Sequence, residues 1–151
     1  MKDLVITCVF DAPVDILWKA WVDPEQIKHW WGPHDCTNPL CSLDLRPGGK
    51  IRIDMRSGEG KIYPMTGEYL KIDHLHELIF NSGPLDAKGV QIFEVLNTIT
   101  FIEQGLKTKL ILSAHMEHVT SEAEPYLKDM QQGWTQSLER LGFFLVKFYG
   151  M

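Results

Sequence analysis

The spacing of apolar residues changes twice along this chain of 151 residues. From Val14 to Val22 apolar residues recur every three or four positions, as on one face of a helix. Over residues 51–56 they alternate with charged residues, which is typical of an antiparallel strand with one buried face. From Thr120 or Ser121 onward the helical spacing returns and continues to Phe148. This order predicts an α+β fold in which a long C-terminal helix packs on an antiparallel sheet.

Turn and capping residues divide the rest of the chain into short elements. Residues 4–10 form a first predicted strand, which ends at the turn residues Asp11-Ala12-Pro13. Asp23-Pro24-Glu25 supplies the N-cap, proline and acid of a second short helix, predicted to end at Trp30-Trp31-Gly32-Pro33. We interpret Ser82-Gly83-Pro84 as another turn. The remaining strands are predicted over residues 36–45, 51–56, 62–72, 78–81, 90–103 and 108–116.

The length and charge limit the possible functions. We expect one domain, residues 1–151, with a core large enough to need no disulfide or metal. Fifteen basic and twenty acidic residues give a net charge of −5, which disfavours nucleic acid and anionic membranes as partners. Neither a signal peptide nor an apolar run long enough for membrane insertion is evident, so we expect a cytoplasmic protein. Its three cysteines, an odd number, are expected to be free thiols: Cys8, Cys36 and Cys41.

Several short motifs occur in an order that resembles one protein family. They are Phe10-Asp11-Ala12-Pro13, Trp18-Lys19-Ala20-Trp21, Asp23-Pro24-Glu25, Trp30-Trp31-Gly32-Pro33, Asp44-Leu45-Arg46-Pro47-Gly48-Gly49, Gly67-Glu68-Tyr69, Thr98-Ile99-Thr100-Phe101 and Gly133-Trp134. This series resembles the activator of Hsp90 ATPase homologue-like family of the START-like (SRPBCC) superfamily. The resemblance implies a helix-grip fold, in which a curved antiparallel sheet of six to seven strands surrounds a long C-terminal helix, with two short helices after strand one. It implies no particular chemistry, because the functions of the family members vary.

The buried faces of the sheet and of the long helix suggest where a ligand would bind. A concave sheet and a single helix enclose more space than their own side chains readily fill, and such pockets are mostly apolar. We therefore expect a cavity that binds a small hydrophobic molecule without a cofactor, although a completely filled core is the alternative. The residues expected around it are Trp31, Met55, Met65, Tyr69, Phe80, Phe93, Ile99, Trp134 and Leu138.

Four potential zinc ligands lie close together in the sequence, near the start of the predicted sheet. His29, His34, Cys36 and Cys41 have the side chains that zinc prefers. However, the two cysteines are separated by four residues across a predicted strand that contains Pro39, so their side chains are not expected to converge. We predict no metal.

Catalytic motifs are also missing from the sequence. We find no nucleophile elbow, glycine-rich phosphate loop or pair of catalytic carboxylates, and therefore predict no catalytic residue. Asp54, Glu68, Asn97 and His115 are the remaining polar candidates besides the tyrosines, and the alternation around His115 predicts that it faces solvent. A cyclase or hydrolase-type enzyme using the same cavity, and a chaperone-interaction domain as the family name implies, remain as alternatives. A protein partner or a homodimer also remains open.

Overall fold

The computed structural model describes residues 2–116 and 124–150, with side chains for residues 3–116 and 128–150. Within these residues the chain forms seven strands and three helices. In chain order they are β1 (Lys2–Phe10), α1 (Val14–Val22), α2 (Pro24–Ile27), β2 (Thr37–Leu43), β3 (Lys50–Arg56), β4 (Ile62–Asp73), β5 (Glu77–Pro84), β6 (Val95–Gln104), β7 (Lys107–Met116) and α3 (Glu124–Tyr149).

The seven strands form one antiparallel sheet in the order β1-β7-β6-β5-β4-β3-β2. The two edge strands are therefore β1 and β2. Strand β2 contains Pro39, where its register with β3 shifts. Proline cannot donate a backbone hydrogen bond, so an edge strand is the position in which a sheet tolerates it best. The curved sheet, the two short helices and the long α3 confirm the predicted helix-grip fold.

The core lies between the concave face of the sheet and α3. Alternate residues of β7 are buried, from Thr108 to Met116, because one face of this strand packs inward. Helix α3 buries residues every three or four positions: Trp134, Leu138, Leu141 and Leu145. Phe148, expected to continue this stripe, is 56% exposed, and Phe144 takes the buried position instead. The predicted helix start at Thr120 or Ser121 and the side chain of Leu127 lie outside the described part of the chain.

A tight turn connects the short helices to the sheet. Asp23 caps α2 as predicted, since its Oδ1 accepts a hydrogen bond of 2.9 Å from the backbone N–H of Glu25. Helix α2 ends at Ile27, earlier than expected, although the N–H groups of Trp30 and Trp31 still donate to the Ile27 carbonyl. Gly32 then adopts a φ of +96°, which reverses the chain at little steric cost because glycine has no Cβ.

The prediction of a turn at Ser82-Gly83-Pro84 is wrong. These residues are the end of β5, where Gly83 pairs with Thr66. A Cβ on Gly83 would lie 1.9 Å from the carbonyl oxygen of Phe93, so the glycine permits close approach of another segment rather than a reversal of the chain. That segment belongs to the connection before β6, which begins at Val95 and not at Val90.

Candidate functional site

The turn around Gly32 is fixed to α3 by one buried hydroxyl. Ser137 accepts a hydrogen bond of 2.9 Å from the N–H of Gly32, and its own Oγ–H donates to the carbonyl of Gly133 at 2.8 Å. Both hydrogen-bonding functions of this buried serine are therefore satisfied within the protein. The side chain joins two segments that are 105 residues apart in the sequence.

Arg140 fixes the same turn one helical turn further along α3. Its guanidinium donates to the carbonyl oxygens of Trp31 at 2.8 Å, Gly32 at 3.1 Å, Pro33 at 3.0 Å and His29 at 3.0 Å. A planar guanidinium is suited to this task because it presents five donors in a rigid arrangement. Partial burial of this cation lowers the pKa of Arg140 from its ordinary value, and the four carbonyl oxygens replace part of its hydration.

A cluster of tryptophans lies beneath this turn. Trp134 of α3 stacks on Trp21 with a ring-centre distance of 5.9 Å and meets Trp31 edge-on at 5.1 Å. Trp30 is completely buried, and its indole N–H donates to the carbonyl of Ala20 at 3.0 Å. Trp30 therefore has a structural role, whereas its neighbour Trp31 faces the space between the sheet and α3.

This space is a cavity of about 360 Å³. Its volume falls within the range of roughly 300–1,000 Å³ found for small-molecule sites. The strands and the connection before β6 contribute Met55, Tyr63, Pro64, Met65, Ser82, Gly83, Pro84, Phe93, Val95 and Asn97. The turn and α3 contribute Trp31, Gly32, Pro33, Asp129, Met130, Gly133, Trp134 and Ser137. We call this space the central cavity.

Five of the nine residues expected around a ligand line the central cavity: Trp31, Met55, Met65, Phe93 and Trp134. Tyr69 and Phe80 lie deeper in the core and border, with Trp31, a void of only about 10 Å³. Ile99 is completely buried between its strand neighbours Leu78 and Leu112. Leu138 faces a different groove, described below.

Sequence reasoning missed the small and polar residues of the cavity wall. Gly83 and Gly133 both interrupt regular elements, and a glycine inside a strand or helix is the one sequence signal that could have drawn attention to them. A Cβ on Gly133 would meet no atom within 4 Å, so the cavity extends up to the backbone of α3 at this position. Ser82 and Ser137 carry no such signal.

Asn97 is a completely buried polar side chain in the cavity wall. Its Nδ2 lies 2.9 Å from Ser82 Oγ and 3.3 Å from the carbonyl oxygen of Phe80. In the part of the chain that the structure describes, its Oδ1 has no hydrogen-bond donor. A buried amide oxygen without a donor costs about 1–3 kcal/mol, so this atom is available to a donor from another molecule.

The other polar candidates from the sequence lie away from the cavity. Asp54 pairs with Arg52 at 2.8 Å and Glu68 pairs with Lys50 at 2.6 Å. His115 lies on the outer face of β7, as its alternation predicted, where it forms a pair with Asp3 of β1. None of these groups lines the central cavity. Asp44 and Arg46 form an exposed ion pair at 2.8 Å, which is worth little in solvent.

The residues considered for zinc are engaged elsewhere. The ring of His29 stacks on Phe144 at 5.7 Å, and His34 Nε2 lies 3.1 Å from Glu139 Oε2. All three cysteines are described, and each is a free thiol. Burial raises the pKa of Cys41 to about 11 and also raises the pKa of Cys36, which disfavours the thiolate form that binds metal. Among the described residues, no three histidine, cysteine or acidic side chains converge on one point.

A second groove of about 420 Å³ runs between β1 and α3. Its apolar wall includes Cys8, Phe10, Leu138 and Leu145, and Gly142 of α3 also lines it. Two carboxylates, Asp11 and Glu139, also line it. We call it the β1–α3 groove. Of the nine predicted residues, Leu138 alone is among the described residues that line this groove.

No helix in the described ranges is both long enough and apolar enough to cross a lipid bilayer.

Solved structures with this fold include a protein from Arthrobacter aurescens that is 22% identical in sequence, with a TM-score of 0.89 over 96% of this chain and 86% of that one. A protein from Mycobacterium smegmatis is 27% identical, with a TM-score of 0.80 over 95% of this chain and 90% of that one. DynU16, a protein of the dynemicin biosynthetic locus, is 21% identical, with a TM-score of 0.73, and matches 96% of this chain but 47% of its own length. No curated protein matches the sequence.

The family comparison covers most of the sequence. The model for the activator of Hsp90 ATPase homolog 1-like proteins matches residues 11–145, from the end of β1 to the last turns of α3. Apart from Phe10, this range contains the motifs on which the resemblance was based, and it contains all the residues named above as lining the central cavity. The chain therefore belongs to the activator of Hsp90 ATPase homolog 1-like family.

Proposed function

We propose that this protein binds one small, largely apolar molecule in the central cavity. The observation that carries the proposal is a space of about 360 Å³ at the point where the sheet, the Gly32 turn and α3 meet. Its wall combines aromatic rings with three methionines: Trp31, Phe93 and Trp134 with Met55, Met65 and Met130. Aromatic rings provide large flat contacts, and methionine adapts its shape to irregular ligands.

The composition of the wall favours binding over catalysis. An enzyme would need an acid or base that faces the bound molecule. Of the lining residues that the structure describes, Asp129 and Tyr63 alone are acidic or phenolic, and both are exposed to solvent. Both therefore lie at the edge of the cavity, where solvent competes for their contacts.

A neutral fluorescent probe, N-phenylnaphthylamine, tests the proposal directly. We expect saturable uptake by the native protein with a blue shift of the emission, because the probe moves from water into an apolar space. Gly133→Leu should abolish this uptake, since the new side chain enters space that holds no protein atom within 4 Å of its Cβ. The fold should survive, because leucine is a better helix former than glycine by up to about 1 kcal/mol.

A matched substitution distinguishes probe binding in the central cavity from probe binding in the β1–α3 groove. Gly142 occupies a similar helical position but lines the β1–α3 groove, where its Cβ would lie 4.0 Å from Phe10 Cε1. Gly142→Leu should therefore leave probe uptake unchanged. The proposal fails if the native protein takes up no probe, and equally if Gly142→Leu abolishes uptake while Gly133→Leu does not. Native mass spectrometry of the purified protein would in addition reveal any co-purifying apolar molecule.

A further inference from the structure

The neighbours of Asn97 in the sheet are mostly apolar, with Ser82 of β5 as the polar exception. Its strand neighbours on the same face are Val95 and Ile99, both buried. Phe80 of β5 and Ala114 of β7 are its partners in the register of the sheet. A primary amide in such a setting is retained at a cost unless both its ends form hydrogen bonds.

The contacts of Asn97 determine which way the amide points. The carbonyl oxygen of Phe80, 3.3 Å away, can only accept, so the NH₂ end must be the end that faces it. The same NH₂ group donates to Ser82 Oγ at 2.9 Å. Turning the amide over would bring two acceptor oxygens together. Asn97 Oδ1 is therefore the end without a donor among the described residues.

Ser82 has the complementary property. Its Oγ accepts the hydrogen bond from Asn97, and the contacts described for the chain give the Ser82 hydroxyl proton no acceptor. Both side chains line the central cavity. An acceptor and a donor therefore lie side by side in a wall that is otherwise mostly apolar.

The charges around the cavity constrain the ligand further. Among the described residues that line the cavity there is no lysine, arginine or histidine, and the carboxylate among them is that of the exposed Asp129. An anionic ligand would lose its hydration without gaining a counter-charge. The wall therefore favours a neutral molecule.

We infer that the central cavity selects a neutral, mainly apolar molecule with one hydroxyl group, such as a phenol or an alcohol, and binds that group between Asn97 and Ser82. The ligand hydroxyl donates to Asn97 Oδ1 and accepts from the Ser82 hydroxyl. Together with the existing bond from Asn97 Nδ2 to Ser82 Oγ, this closes a ring of three hydrogen bonds. The inference rests on the proposed function, because it names the class of molecule that the same cavity binds.

Equilibrium dialysis with naphthalene and naphthol tests this selection, since the two molecules differ by one hydroxyl. In a purely apolar cavity naphthol would bind more weakly, because water solvates it better. We expect the native protein to bind naphthol at least about tenfold more tightly than naphthalene, as a hydrogen bond that satisfies a buried partner can provide. Asn97→Leu, a change of similar size, should remove this preference while naphthalene still binds. Ser82→Ala should reduce it several-fold.

Asn81→Leu is the matched control, because Asn81 precedes Ser82 in β5 and does not line the cavity. It should leave the ratio of the two affinities unchanged. Equal binding of both molecules by the native protein, or a ratio unchanged in Asn97→Leu, overturns the inference and leaves the proposed function standing. If the native protein binds neither molecule, both fail. Should Asn97→Leu not fold, as judged by circular dichroism, an unchanged ratio in Ser82→Ala overturns the inference.

Discussion

The indole of Trp134 belongs both to the tryptophan cluster and to the wall of the central cavity. It packs against the rings of Trp21 and Trp31, and it also borders the cavity. The residue is 8% exposed, so nearly all of its apolar surface is removed from bulk water. Its size therefore affects both the stability of the core and the shape of the cavity.

Substituting Trp134 by a small and by a large side chain should separate its effect on stability from its effect on the shape of the cavity. Trp134→Ala is expected to lower the free energy of unfolding by about 3 kcal/mol, at the lower end of the cost for a buried tryptophan, because this residue already borders empty space. Trp134→Phe should retain most of the stability but change the affinity for N-phenylnaphthylamine. Urea unfolding and probe titration measure the two quantities. A cost below about 1 kcal/mol for Trp134→Ala would contradict the packing described above.

At the scale of elements, α3 and the Gly32 turn act as one unit. Arg140 and Ser137 together bind backbone groups of the turn, and the turn in turn supplies Trp31 to the cavity wall. A Cβ on Gly32 would lie 2.8 Å from Met55 Sδ, so the turn also packs directly on β3. The position of the cavity wall therefore depends on a few hydrogen bonds between segments that are distant in sequence.

Arg140→Met tests this dependence. The substitution keeps much of the aliphatic volume but removes the guanidinium donor from four carbonyl oxygens, of which that of Pro33 still accepts from the N–H of Cys36. We therefore expect a loss of about 2–4 kcal/mol in unfolding free energy. The affinity for N-phenylnaphthylamine should also fall. Arg140→Lys is the conservative comparison. Its unfolding free energy should lie between those of the native protein and of Arg140→Met, because an ammonium group cannot reproduce the planar arrangement of donors. A stability of Arg140→Met within about 0.5 kcal/mol of the native protein would refute the role of this residue.

The spacing of apolar residues was sufficient to predict the elements, because burial of one face imposes a period on any strand or helix. It could not predict which part of the buried face borders empty space. Met65 and Tyr69 share one face of β4, yet Met65 lines the central cavity and Tyr69 does not. Which of the two residues borders empty space depends on where α3 and the Gly32 turn lie over the sheet, which is a tertiary property.

The turn prediction failed for a related reason. Gly83 and Pro84 have the local chemistry of a turn, but the contact with Phe93 decides their conformation. Asn97 was visible in the sequence only as one polar residue among several. Its importance depends on the contacts that occupy its nitrogen, while no described residue donates a hydrogen bond to its oxygen.

At the scale of the whole molecule, several groups that lose a proton at high pH are partly or fully buried in the neutral form. Burial raises the pKa of Cys41 to about 11, and burial also raises the pKa values of Cys8, Cys36 and Tyr69. A raised pKa in the folded state means that folding favours the protonated form. The resulting stability is complete below the thiol pKa of the unfolded chain, about 8.5, and is lost as the pH rises towards 11.

We therefore expect the free energy of unfolding to decrease steadily between about pH 8.5 and about pH 11. Cys41→Ala should make this decrease smaller, because it removes one of the groups that titrate in this interval. Urea unfolding at a series of pH values, in the presence of a reductant, measures the effect. A stability that does not change over this interval would contradict the burial of these groups.

The bond between Gly32 and Ser137 also has a consequence for the order of assembly. Helix α3 follows all seven strands in the sequence. A ribosome therefore synthesises every strand of the sheet before it synthesises the helix that closes the cavity. Until Ser137 and Arg140 of α3 bind the Gly32 turn, Trp31 cannot pack against Trp134. The part of the cavity wall that these two tryptophans form is therefore incomplete. A ligand would therefore bind only after α3 has docked, and its binding would favour chains that contain α3 over those in which this helix has not yet been made.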